Sequence, residues 1–74
     1  MFEEVKEVIV ESLSCDADKV TMEARLNEDL GADSLDAVEL SLAIEEKTGI
    51  TIAEDALGSL KTVADIVNYL EANK

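Results

Sequence analysis

The segment Ser34-Leu35-Asp36-Ala37-Val38-Glu39-Leu40-Ser41-Leu42-Ala43-Ile44-Glu45-Glu46-Lys47 contains neither glycine nor proline and carries two apolar stripes rather than one. Its residues mostly suit a helix. At about 100° per residue, Ala37, Leu40 and Ile44 cluster on one side while Leu35, Val38 and Leu42 cluster nearly opposite, with Asp36, Glu39 and Glu46 along one flank. A single small core readily covers one stripe. Either this helix lies centrally and buries both, or Leu35, Val38 and Leu42 stay partly exposed as an acid-rimmed strip suited to the groove of a basic partner.

The start of this helix is chemically distinctive. Gly31-Ala32-Asp33 precedes it, and Asp33 is a good N-cap, which puts Ser34 at N1 and Asp36 at N3. Both carboxylates then suit the positive end of the helix dipole. Ser34 is left exposed on the first turn. A hydroxyl so placed can bear a covalent group, and a phosphate attached to it sits near free backbone amides.

Composition narrows the fold and the partners. With 74 residues, the chain is expected to form one domain, residues 1–74, near the size at which folding buries only about 60% of the unfolded surface. Phe2 and Tyr69 are the only aromatic residues, so the core must be Leu, Val, Ile and Ala; three glycines and no proline likewise favour packed helices over a sandwich or barrel. Eighteen acidic against six basic residues give a formal charge of −12. Such a chain repels nucleic acid and anionic membrane and attracts basic protein surfaces. One cysteine and no histidine leave no internal disulfide and no Cys/His metal site. The start lacks the pattern of a signal peptide and no apolar run reaches membrane-spanning length, which predicts a cytoplasmic, reducing-compartment protein without membrane insertion.

Along the chain, Phe2, Val5, Val8, Ile9 and Leu13 lie against Glu3, Glu4, Lys6, Glu7 and Glu11, the pattern of an amphipathic first helix. Ser14 to Asp18 breaks it, and the span to Asp33 reads as a long ordered loop pinned by Val20, Met22, Leu26 and Leu30. The Asp16-x-Asp18 pair lacks the further ligands of a calcium loop. Gly49 suits a left-handed helix end. Glu54 to Leu57 is expected to make about one helical turn, stopped near Gly58. Thr62 with Asp65 forms a capping box for a last helix carrying Val63, Ile66, Val67 and Leu70 at i, i+3, i+4, i+7. The expectation is an all-α, small four-helix bundle with three main helices, a short third helix and a long loop between helices 1 and 2. Cys15 has no Lys, Arg or His adjoining it and reads as a small half-buried apolar residue.

Across nearly its whole length, and most closely at Gly31-Ala32-Asp33-Ser34-Leu35-Asp36-Ala37-Val38-Glu39-Leu40 with Glu28-Asp29-Leu30 before it, the chain resembles the acyl carrier proteins, particularly the free-standing type of fatty acid synthesis. The resemblance implies that Ser34 takes a 4′-phosphopantetheine arm from coenzyme A through a phosphopantetheinyl transferase, and that the arm's thiol carries growing fatty acyl chains as thioesters. It implies a role for Asp33 in that transfer, and docking roles for Leu35, Asp36, Val38, Glu39, Leu42, Glu45 and Glu46 against basic patches of fatty acid synthesis enzymes. It also implies a non-catalytic monomer. Asp33 and Asp36 repel the attached phosphate, so stabilising the modified form is not their purpose. The family often has Ile-Pro-acid before the third helix, whereas Ile52-Ala53-Glu54 lacks the proline.

Within that class, polyketide, aminoacyl and D-alanyl carriers share the Asp-Ser core. Outside it, the alternative is an unmodified acidic adaptor that docks a partner helix. A hydrolase is excluded, because there is no histidine, no Gly-x-Ser-x-Gly elbow and no base beside Cys15. A fatty acyl cargo is expected to lie in a void lined by Leu40, Ala43, Ile44, Ile52, Ala56, Leu57 and Ile66.

Overall fold

The computed structural model describes residues 1–74, apart from the side chain of Glu54. Four α-helices are found: α1 Phe2–Leu13, α2 Ser34–Thr48, α3 Glu54–Leu57 and α4 Val63–Asn73. The expected all-α bundle is therefore the fold, including its one-turn third helix and the long loop of residues 14–33.

Each helix ends where local chemistry stops it. Ser14, at φ 53°, closes α1 in the left-handed region, which few residues other than glycine adopt. Gly49, at φ 77°, closes α2, and its amide donates to the Glu45 carbonyl at 2.7 Å. At the start of α4, the Asp65 amide donates to Thr62 Oγ1 at 3.2 Å while Asp65 Oδ2 accepts from the Thr62 amide, also at 3.2 Å. That is the capping box read from Thr62 and Asp65.

The core is aliphatic. Val5, Val8 and Ile9 of α1 meet Leu40 and Ile44 of α2 and Val63, Ile66, Val67 and Leu70 of α4, all buried. Burying a side chain such as Leu40 or Ile44 contributes about 1.5–3 kcal/mol each. Val20, Ala24, Leu26 and Ala32 bring the long loop into the same core. Phe2, Leu13 and Cys15 pack at its edge, as expected for a cysteine acting as a small apolar residue.

Backbone bonds also tie the loop down. A single antiparallel bridge joins Arg25 to Thr62. The Leu26 amide donates to the Lys61 carbonyl at 2.9 Å, the Val63 amide to the Ala24 carbonyl at 3.0 Å and the Ala64 amide to the Met22 carbonyl at 2.9 Å. The last two satisfy the first two amides of α4, which have no partner within the helix. The loop thus caps α4 as well as crossing it.

Candidate functional site

Ser34 begins α2 with an exposed side chain. Asp33 is its N-cap, and the Asp36 amide donates to Asp33 Oδ1 at 2.9 Å while the Asp33 amide donates to Asp36 Oδ2 at 3.3 Å. This box satisfies the third amide of the helix and leaves those of Ser34 and Leu35 without a partner among the described residues. The contrast with α4, whose first two amides are taken by loop carbonyls, is informative. Of the two boxed helix starts, only that of α2 presents open donors beside a hydroxyl. Lower down the same helix, Ser41 Oγ donates to the Val38 carbonyl at 2.7 Å and Thr48 Oγ1 to the Ile44 carbonyl at 2.8 Å. Among the described residues, the Ser34 hydroxyl makes no such bond and is available to react.

Ser34 also lines a groove of about 630 Å³ between the start of α2, the loop and the α3–α4 link. Leu26, Ala32, Ala37, Val38, Leu57 and Leu60 give it an apolar lining, and Arg25, Asn27, Glu28, Asp33 and Lys61 add polar groups. Of the residues expected to surround an acyl chain, only Leu57 lines this groove. Leu40, Ile44, Ile52 and Ile66 are buried in the core and do not line it.

Arg25 shapes one wall. Its guanidinium pairs with Glu28 and, at 3.1 Å, with Asp29 Oδ2, which also accepts the Arg25 amide at 2.8 Å. The hydrogen bond from the Arg25 side chain, followed by that from its amide, holds the Asp29 carboxyl below its ordinary range, and the same side-chain bond raises the guanidinium. Sequence reasoning named neither Arg25 nor Lys61 as part of the site. The i, i+3 and i, i+4 spacing of Arg25 with Glu28 and Asp29 was the available signal for the clasp; nothing in the sequence signals that Lys61 comes to the same groove.

The second apolar stripe of α2 faces outward. Leu35 is 68% exposed, Val38 43% and Leu42 58%, while Leu40 and Ile44 on the other face are buried. Glu39 and Glu46 are exposed beside this strip. Glu45 is half-buried and accepts a hydrogen bond from Thr51 Oγ1. Asp36 is half-buried and committed to the capping box. The reading in which α2 buries both stripes does not hold: α1 covers one, and among the described residues no element covers the other.

Fold and site together define a small helical domain of the carrier type, offering an exposed hydroxyl at the head of a helix whose outer face is apolar and rimmed by acids. Residues 3–70 match the family described as "Phosphopantetheine attachment site". The chain is 56% identical to the acyl carrier protein of Helicobacter hepaticus over 99% of its own length and 96% of that protein, and 50% identical to that of Helicobacter acinonychis over 100% and 95%. A solved structure of acyl carrier protein from Enterococcus faecalis superposes with a TM-score of 0.76 at 29% identity, covering 100% of this chain and 99% of the other. The chain belongs to the acyl carrier protein family. Its covalently held group is accordingly 4′-phosphopantetheine, and it carries acyl groups rather than catalysing their reactions.

Proposed function

We propose that Ser34 is the residue on which this single 74-residue carrier domain receives 4′-phosphopantetheine from coenzyme A, acting as substrate of a phosphopantetheinyl transferase in the cytoplasm. One observation carries this reading: the Ser34 hydroxyl is exposed, unbonded among the described residues and set beside two open amides at the mouth of a groove. When attached, the arm supplies a terminal thiol that holds growing fatty acyl chains as thioesters during fatty acid synthesis. The residues present suit the group, since a phosphodiester on Oγ lies near the Ser34 and Leu35 amides and the arm has a partly apolar groove to lie along. Asp33 fixes the cap and presents a carboxylate next to the reacting hydroxyl, where it can engage a cation of the transferase site.

The apolar strip and its acids serve the partner enzymes. Leu35, Val38 and Leu42 supply contact area, and Glu39, Glu45 and Glu46 steer the carrier toward basic patches. Exposed carboxylates give fast, salt-sensitive encounter with weak final affinity, which suits a carrier that visits many enzymes. Asp36 contributes its charge from within the cap.

Intact-mass measurement after incubation with coenzyme A and a broad-specificity phosphopantetheinyl transferase tests the assignment. The parent gains one arm and Ser34→Ala gains none while keeping its helical circular dichroism. A folded parent that gains nothing, or a Ser34→Ala variant that gains the same mass, would sink it.

A further inference from the structure

We propose that Lys61 is the cation that receives the phosphodiester of the arm, offsetting the repulsion that Asp33 and Asp36 impose on it. The inference rests on the reading of Ser34 as attachment residue. Attachment adds a negative charge to a chain already at −12, next to two carboxylates at the start of α2. A compensating cation near Ser34 has few sources, because the chain has only six basic residues. Two of them, Arg25 and Lys61, line the groove that Ser34 opens onto.

These two cations are not equivalent. Arg25 is already engaged by Glu28 and by Asp29 at 3.1 Å, so it brings its own counter-charges to the groove wall. Lys61 is exposed, and among the described residues its ammonium forms no ion pair. Of the carboxylates that line the same groove, Glu28 is paired with Arg25 and Asp33 accepts the Asp36 amide, and among the described residues neither lies within ion-pair distance of Lys61; Asp65 Oδ2 accepts the backbone amides of Lys61 and Thr62 at 3.0 and 3.2 Å. The backbone of Lys61 is meanwhile fixed by its carbonyl, which accepts the Leu26 amide at 2.9 Å. The chain therefore anchors the base of this side chain and, among the described residues, leaves its charged end unpaired on a groove that Ser34 also lines. A lysine suits the task, as a compact charge on a flexible stem that can follow a phosphate without a fixed fork geometry.

The test compares modified and unmodified full-length protein, each form verified by mass, for the parent, Lys61→Met, Lys61→Arg and Lys19→Met. Lys19 lies outside the groove and serves as the control cation. In low salt, modification is expected to change the melting temperature of the parent, Lys61→Arg and Lys19→Met by about the same amount. It should lower that of Lys61→Met by roughly 3–5 °C more, the size expected from losing one unit charge at about 5 Å in a water-like medium. The excess should shrink in 0.5 M salt, and the phosphorus resonance should shift on Lys61→Met but stay unmoved in Lys19→Met. An equal response to modification in all four proteins, with an unmoved phosphorus resonance, overturns the proposal. If the parent gains no arm, or gains it at a residue other than Ser34, the attachment reading itself has failed and this inference falls with it.

Discussion

Asp33 and Asp36 hold the start of α2 reciprocally, each carboxylate accepting the other residue's backbone amide, at 2.9 Å to Asp33 Oδ1 and 3.3 Å to Asp36 Oδ2. Removing the cap by Asp33→Ala should cost about 1 kcal/mol in urea unfolding, as loss of an N-cap side chain usually does. Asp33→Asn keeps an accepting oxygen and should retain most of that stability. If the Asp33→Asn variant is stable yet modified far more slowly than the parent, the carboxylate charge acts in the transfer; equal modification rates would confine Asp33 to capping.

The two faces of α2 should respond differently to truncation. Leu40→Ala, in the sealed core, is expected to destabilise by about 2–5 kcal/mol, which is a large share of the stability of so small a domain. Leu42→Ala, 58% exposed, should change stability by less than about 0.5 kcal/mol. Binding to a partner enzyme, read by surface plasmon resonance, should weaken about tenfold for Leu42→Ala, the loss of an apolar anchor costing somewhat over 1 kcal/mol; unaltered affinity would remove the strip from the docking face.

The Arg25 clasp makes a pH prediction. Asp29 has a folded pKa below its unfolded value, so the stability it contributes is present above the unfolded carboxylate pKa and is lost as pH falls through the lowered folded value. Carbon-detected NMR titration should find the Asp29 midpoint below that of ordinary carboxylates. In Arg25→Ala it should rise to the usual range. A midpoint indifferent to the substitution would mean that the clasp is not formed in solution.

Net charge gives a further expectation. A formal −12 held within extents of 26 × 22 × 19 Å repels itself at neutral pH. At 0.1 M salt the screening length is about 10 Å, shorter than the molecule. The melting temperature should therefore rise by several degrees from roughly 10 to 200 mM salt, with about 5 °C corresponding to roughly 1 kcal/mol. Millimolar magnesium should raise it as well, and insensitivity to both would show that repulsion does not limit this fold.

Most of the helical frame could be read from local signals. Asp33 with Asp36 and Thr62 with Asp65 mark two helix starts, Gly49 marks an end, and the spacing of Val63, Ile66, Val67 and Leu70 marks a buried face. The strip of Leu35, Val38 and Leu42 was visible too, but periodicity cannot say whether a second apolar face is covered. That depends on how many elements surround α2. The groove beside Ser34 was not legible in the same way: Arg25 and Lys61 are far apart in sequence, and an isolated bridge between Arg25 and Thr62 leaves no periodic trace. Helical phase likewise shows that Leu40 and Ile44 point inward, and both are buried, but not whether space for an acyl chain opens beside them.

The bonds from Met22, Ala24 and Leu26 to residues 61–64 have a consequence for how the protein works as a shuttle. They act as a latch between distant parts of the chain, so the final helix is not fully capped until the loop has docked. Loosening the loop uncaps α4 and exposes Val20 and Leu26 at the same time. The loop is therefore part of the cooperative unit rather than an appendage to it.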